Sequence, residues 1–294
     1  MARGPGGNWD RFVPFQFLAP GLLVLIAIVV YPTIAIIQNS LYDWNLLVGN
    51  RRFVGVQNYA SLLADQIFLK SLVRTSIYTA GVVSAELVLG FALALLFNRS
   101  FPGLNVLRTL LIAPMLVAPV MVGLTWRFMY EPSIGVLNYL LSVIHLPGLR
   151  WISDTATALP SVGLADVWQW TPFVFLILLA GLQSIPESIV EAAVMDGAGA
   201  RRIIFEMQVP LLSRVILIVV LLRVIDSVKL FDLIYVVTRG GPGNSTYLAS
   251  FYNYVVGFTQ FQMGRASATA FLIMLMISVL TMLLLRVILR GERL

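Results

Sequence analysis
The chain has no cysteine, a single histidine and two lysines among its 294 residues, and charged side chains make up only 12% of it. Without cysteine there is no disulfide, thiolate metal site or sulfur nucleophile. His145 stands alone in an apolar stretch just before Pro147, the setting of an interfacial or packed imidazole, which disfavours histidine-based metal catalysis. The lysines, Lys70 in DQIFLKSL and Lys229 in RVIDSVKLF, lack the glycine-rich turn with which a P-loop holds phosphates. If ATP is used, a partner must bind it. The acids are scattered, and no HExxH, GxSxG or paired-aspartate arrangement is present to build a hydrolase or an intramembrane protease.

What is there is apolar. Hydrophobic residues account for 59% of the chain and its mean hydropathy is +0.89, which places it among integral membrane proteins. A helix needs about 20 apolar residues to cross the hydrocarbon core. Six segments meet that length: 15–37, 77–97, 109–128, 167–185, 209–237 and 266–285. The stretch from Ile134 to His145 is shorter and bounded by Pro132 and Pro147, so it reads as a short interfacial helix instead of a seventh span. The first span begins soon after Arg11 and is followed by no A-x-A-like site, so it reads as an anchor and not a signal peptide. Six spans put both termini on one side. Arg3, Arg11, Arg99, Arg108, Arg201 and Arg202, with Arg214, Arg286, Arg290 and Arg293, favour the cytoplasm for it. Basic residues at an anionic inner leaflet account for most of the net charge of +6, which needs no nucleic-acid partner. No internal repeat, low-complexity tract or linker divides the chain, so residues 1–294 read as one all-α domain, a polytopic helical bundle.

Between the fourth and fifth spans lies EAAVMDGAGARRIIFEMQVP, Glu191 to Pro210, too polar to cross a bilayer. It reads as a short helix, a tight turn and a second helix docked at the membrane surface. Ala192 and Ala193 keep the first helix thin, and Gly197 and Gly199 flank Ala198 where the chain reverses. Glu191 is placed close to a helix N-terminus, where the dipole favours a carboxylate and where it can meet a basic residue across an interface. Arg201 and Arg202 can pair with acids of a partner or with lipid phosphates, and Pro210 suits the first turn of span five.

Glu-Ala-Ala at 191–193, three residues, Gly197, and a closing Met207-Gln208-Val209-Pro210 resemble the signature loop of the membrane subunits of bacterial ABC importers. Met207 and Val209 stand where that family usually has Ile and Leu. Further blocks match in order: PTIAIIQNSLYDW, FVGVQNYASLL, APMLVAPVMVGLTWRFMY, LADVWQWTPF, FDLIYVVTRGGPGNST and FTQFQMGRASATA. Together they resemble the sugar-type permeases, the maltose and glycerol-3-phosphate branch, over nearly the whole chain. The resemblance implies a type I importer permease fold whose cytoplasmic loop, 187–208, docks into a cleft on the ATPase, with Glu191, Ala192, Ala193, Asp196, Gly197, Arg201 and Arg202 as coupling residues. It implies that the chain is not an enzyme and binds no cofactor itself. ATP and magnesium belong to two copies of a cytoplasmic ABC ATPase. The other implied partners are a second homologous permease subunit, an extracytoplasmic solute-binding protein and membrane lipid. The sugar branch usually pairs two different permease subunits, with a homodimer left open. The implied cargo is a carbohydrate carried across the bacterial cytoplasmic membrane, with glycerol-3-phosphate or another charged sugar-like solute as the alternative.

Ionisable residues within spans usually face a bundle interior or a water-filled path. Glu86 lies mid-way along span two, and span five carries Arg223, Asp226, Lys229 and Asp232. Spaced three apart and alternating in sign, these four sit each beside the next on a helix, and three steps fall short of a full turn by about 60°, so they wind around it. Two readings stand, a self-neutralising salt-bridged rib and a direct lining of a solute pocket, while Glu86 reads as a structural partner. A sugar pocket needs aromatic faces and polar groups. Asp166, Trp168, Gln169, Trp170 and Thr171 crowd one end of span four above Pro172, with Trp168 equally an interfacial anchor. By the resemblance, the solute pathway falls near Asp166, Gln169, Trp170 and Phe173, and near Arg223, Asp226, Ser227 and Leu230. An acid and a base at such positions point toward a charged or unusual sugar.

Pro20 and Pro32, Pro114 and Pro119, and Pro172 are expected to bend spans one, three and four. Gly264, Ala266, Ala268 and Ala270 form an expected helix-packing face, and the GGPG turn at 240–243 is expected on the outer side. The rival function is a self-contained carrier or channel driven by an ion gradient through Glu86 and the span-five charges. It leaves the 187–208 loop without a task and lacks the inverted repeat seen in many carriers. A membrane enzyme finds no catalytic set in the chain.

Overall fold
The computed structural model describes residues 9–99 and 102–290, the side chains of 9–15 and 288–290 excepted. Arg3 and Arg293, assigned above to the inner face, lie outside the described residues, as do the side chains of Arg11 and Arg290. In chain order the helices begin with α1 (Trp9–Leu25), α2 (Tyr31–Ser40), α3 (Gln57–Ala64), α4 (Gln66–Phe97), α5 (Leu104–Ile112), α6 (Pro119–Met129), α7 (Val136–Val143) and α8 (Ala158–Gln183). They continue with α9 (Glu187–Met195), α10 (Ala200–Arg202), α11 (Val209–Leu211), α12 (Ser213–Val228), α13 (Ala249–Tyr254) and α14 (Met263–Arg290). Two short strands, β1 (Tyr42–Trp44) and β2 (Arg51–Phe53), pair antiparallel between α2 and α3. This hairpin departs from the all-α expectation, because three residues are too few to display a period-two pattern. The Arg51 guanidinium covers the Tyr42 ring at 4.6 Å.

Among the described residues four helices are long and apolar enough to cross a membrane: Gln16–Ser40, Gln66–Phe97, Ala158–Gln183 and Met263–Val287. The third span is bent, as its prolines led one to expect, and sharply enough to be broken, with Leu104–Leu116 meeting Pro119–Met129 at 97°. Ala118 holds φ −59° and ψ 136° at the break, because a proline ring disfavours helical backbone in the residue before it. The expected fifth span, 209–237, is also interrupted. Its regular part is α12, of 16 residues, and the chain leaves the helix at Lys229. Pro210 therefore lies ahead of the long helix, which begins at Ser213, and not in its first turn.

The prolines act differently from one another. Pro32 and Pro210 each follow a π-helical stretch, Ile26–Val30 and Ile203–Gln208, whose wider turn makes room for a ring that cannot donate. Pro172 leaves α8 continuous, and the neighbouring Thr171 hydroxyl donates to the Val167 carbonyl at 2.6 Å.

The backbone packs as two compact units, Met1–Asp65 with Asn253–Leu272, and Gln66–Tyr252 with Ile273–Leu294. In the first, Gly264 admits a strand and not a neighbouring helix, since a Cβ there would fall 1.9 Å from the Tyr42 carbonyl oxygen. Ala266, by contrast, approaches Gly257. Arg265 pairs with Asp65 in the same unit. In the second unit α4 runs along α8 at close range. A Cβ on Gly90 would lie 2.7 Å from Val174 Cγ1, and one on Gly181 would lie 2.8 Å from Leu212 Cδ2. Small residues at such crossings let helices gain van der Waals contact where lipid offers no hydrophobic drive. Ala94, Phe97, Phe175 and Leu178 fill the space between α4 and α8, with Leu212 and Val219 packed against them.

Candidate functional site
Three helices of the second unit each bring one fully buried charge to a common point. Glu86 of α4, Asp166 of α8 and Arg223 of α12 are 0%, 1% and 1% exposed. Arg223 donates through Nε and Nη2 to the two oxygens of Glu86 at 2.6 and 2.8 Å, a forked pairing that fits guanidinium to carboxylate. Nη2 also reaches Asp166 Oδ1 at 3.4 Å, and the Tyr78 hydroxyl donates to Asp166 Oδ2 at 3.0 Å. One turn further along α12, Ser227 donates to Thr79 of α4 at 3.1 Å. Buried charges persist only when paired and hydrogen-bonded, so this set ties the three helices together.

The network forms one wall of a cavity of about 270 Å³. From α8 come Asp166, Gln169 and Trp170, and from α12 come Arg223, Asp226 and Ser227. Lys229, Leu230 and Asp232 line it from the break that follows. The Arg223 guanidinium lies 5.0 Å from the centre of the Trp170 ring. Gln169 donates to the Val117 carbonyl at 3.0 Å, at the sharp bend before α6. Phe173 is not among the lining residues; its ring stands edge-on to Trp170 at 6.2 Å and packs behind it. Trp168 turns away to a second groove and meets Trp126 at 5.8 Å.

The ladder expected along span five does not form. Arg223 turns to Glu86 and Asp166, and of the four charges only Asp226 and Lys229 pair with each other, at 3.3 Å and half exposed. Two reasons act together. Buried carboxylates attract a guanidinium more strongly than a solvated neighbour does, and the helix ends at Val228, so Asp232 is no longer on the same helical surface.

In the 187–208 segment, α9 begins at Glu187 directly after Pro186, whose extended backbone ends the preceding stretch. Glu187 therefore holds the first-turn position, and Glu191 stands mid-helix, not near the N-terminus as expected. Gly197, at φ +79°, closes α9: its N–H bonds to the Val194 carbonyl and that of Ala198 to the Ala193 carbonyl. This paired ending needs a left-handed residue. Gly199, at φ −72°, does not use glycine's freedom. Arg202 pairs with Glu206 within the segment at 2.8 Å, while Arg201 and Asp196 are exposed. Val194 and Met195 are 56% and 86% exposed, a patch of apolar side chain at the tip of a polar loop. Behind α9 lies a cleft of about 430 Å³ lined by Asn98, Gln183, Glu187, Glu191 and Gln208.

Residues 69–293 match the family described as binding-protein-dependent transport system inner membrane component. The chain belongs to that family. This inner membrane component is 34% identical over 250 residues to the trehalose/maltose transport system permease protein MalF of Thermococcus litoralis, covering 85% of this chain and 83% of that one. It is 32% identical over 280 residues to the sulfoquinovosyl glycerol transport system permease protein SmoG of Agrobacterium fabrum, covering 95% and 91%. A chain in the crystal structure of a bacterial ABC transporter involved in the import of the acidic polysaccharide alginate superposes with a TM-score of 0.84 at 18% identity, over 96% of this component and 98% of that chain. The fold is thus that of an ABC transporter's helical membrane subunit. Within it, reading the sequence overlooked Tyr78, Thr79 and Pro119 at the network and cavity. A signal for the first two existed. Ser71, Thr75, Tyr78, Thr79, Val82, Glu86 and Gly90 recur at three- and four-residue steps and form the buried face of α4.

Proposed function
We propose that this inner membrane component is the translocating permease subunit of an ATP-driven, binding-protein-dependent importer of a carbohydrate, with residues 1–294 acting as one permease domain. The four long helices, the bent pair and α12 would make six spans with both termini in the cytoplasm. A helix of 16 residues rises about 24 Å, which supports a crossing when the π-helical lead-in before α12 is added.

The observation that carries the proposal is the tip of α9. A helix end closed by two backbone hydrogen bonds presents Val194 and Met195 to solvent beside Glu191, Ala192, Ala193, Asp196, Arg201 and Arg202, the anatomy of a surface that docks into a partner's cleft. That partner is a pair of cytoplasmic ABC ATPases, which hold the ATP and magnesium. A second homologous permease subunit, different in sequence, completes the pathway. The cavity between α8 and α12 contributes this chain's share of the solute path. The turn at 240–246, closed by the hydroxyls of Thr238 and Thr246 at 2.8 Å, is offered to the solute-binding protein.

The test is affinity purification of the tagged chain in mild detergent beside a Glu191→Ala Gly197→Pro variant, with co-purifying proteins identified and ATPase activity assayed. Recovery of an ATPase and a second permease with the parent, and loss of the ATPase with the variant, supports the proposal. A chain that purifies alone and moves solute into vesicles without ATP overturns it in favour of an ion-driven carrier.

A further inference from the structure
Charge around the α8–α12 cavity is unequal once the buried network behind it is counted. Glu86, Asp166, Asp226 and Asp232 provide four carboxylates, and Arg223 and Lys229 provide two cations. Both cations are already engaged. Arg223 is forked onto Glu86, reaches Asp166 and lies against Trp170, and Lys229 is 3.3 Å from Asp226. Among the described residues Asp232 forms no ion pair. The Gln169 side chain, 1% exposed, spends its Nε2–H on the Val117 carbonyl and leaves Oε1 without a donor. The bond to Val117 sets which end of the amide is the acceptor.

Resting on the permease reading above, we infer that this cavity selects neutral, hydroxyl-rich solutes against anionic ones, and that Glu86 is the positioning residue that sets the discrimination by holding Arg223 away from the solute. A phosphate, sulfonate or uronate entering the cavity would find no cation without a carboxylate partner, and the excess negative charge, part of it on the half-exposed Asp226 and the exposed Asp232, would repel it. Sugar hydroxyls, by contrast, donate. They meet the Gln169 Oε1 acceptor, whose burial without a partner is otherwise a cost, and the carboxylates of Asp226 and Asp232. The basic residue in the cavity is thus not a sign of charged cargo, because its charge is spent before the solute arrives.

The experiment uses the whole assembly, purified through the tagged chain and placed in lipid nanodiscs. Tryptophan fluorescence is titrated with trehalose and maltose and with the 6-phosphate of each, and a Trp170→Phe variant identifies the responding ring. The expected result is at least about tenfold tighter binding of a neutral sugar than of its phosphate, with the gap narrowing as ionic strength rises. Glu86→Gln should narrow the same gap by about tenfold, and the Glu86→Gln Asp166→Asn pair further. Equal or tighter binding of the phosphate by the parent overturns the selectivity. An unchanged ratio in folded Glu86→Gln overturns the role of Glu86. If the variants do not fold, the parent's ratio and its salt dependence decide. No binding of any sugar, with an ATPase still co-purifying, overturns the cavity assignment while leaving the importer reading in place. Absence of the ATPase sinks that reading instead.

Discussion

The charges around Arg223 and those of the 187–208 segment are the same kinds of group under opposite conditions. Glu86, Asp166 and Arg223 are almost wholly out of solvent and come from three separate helices. Arg202 and Glu206 sit four residues apart on one short stretch and are 69% and 65% exposed. Buried charges must be satisfied within the protein, so each helix that carries one is committed to the others. Exposed ones are satisfied by water and exchange that for a partner at little cost, which suits the docking role proposed above for this segment. Position along the chain separates charges inside spans from those of a surface segment; which carboxylates take Arg223 is decided by burial.

Arg223→Met tests the buried side hardest. It leaves two facing carboxylates without a counter-charge, a loss of about 3–5 kcal/mol. The expected result is little folded protein in size-exclusion profiles of detergent extracts, and a parent-like yield and melting temperature would show that the network does not hold the helices. Gly90→Val comes next. It drives a branched side chain into Val174 and the backbone of Phe175, at about 1–3 kcal/mol for overpacking. A lowered melting temperature is expected, and no change would mean that α4 and α8 do not approach as closely as described.

Gly197→Ala places a side chain at φ +79°, a local strain of about 1–2 kcal/mol. Here the two regions should part company, with solute-stimulated ATPase activity falling severalfold while the melting temperature stays near that of the parent. A matching loss of both would make the turn a folding element. Arg202→Ala removes an exposed pair between residues four apart, at most about 0.5 kcal/mol. A fall in melting temperature comparable to that of Arg223→Met would erase the contrast between the regions.

Several features were legible in the residues themselves. Composition disclosed a membrane protein, the prolines around Val117 announced a break, and the Glu-Ala-Ala to Pro210 block marked a segment whose middle holds a left-handed glycine. Other features were not. The 97° bend follows from Ala118 before Pro119, but its size depends on what α5 and α6 pack against. Glu86 and Arg223 lie 137 residues apart, and no local spacing ties them. The span-five charges suggested pairing with one another because local geometry is all that a sequence displays. Phe173 was placed on the solute pathway by the resemblance, yet three residues beyond Trp170 it stands about 60° round α8, enough to turn its ring out of the cavity lining.

The sequence by itself determined that the chain lives in a bilayer, where its helices run and which polar segment must stay at the surface, because these depend on the apolar content and local backbone preference of consecutive residues. Only the tertiary structure decided which carboxylates take Arg223, which side of α8 faces the cavity and how span five is cut short. Those outcomes are competitions between groups distant in sequence, and they are settled by which of them the packing of α4, α8 and α12 removes from water.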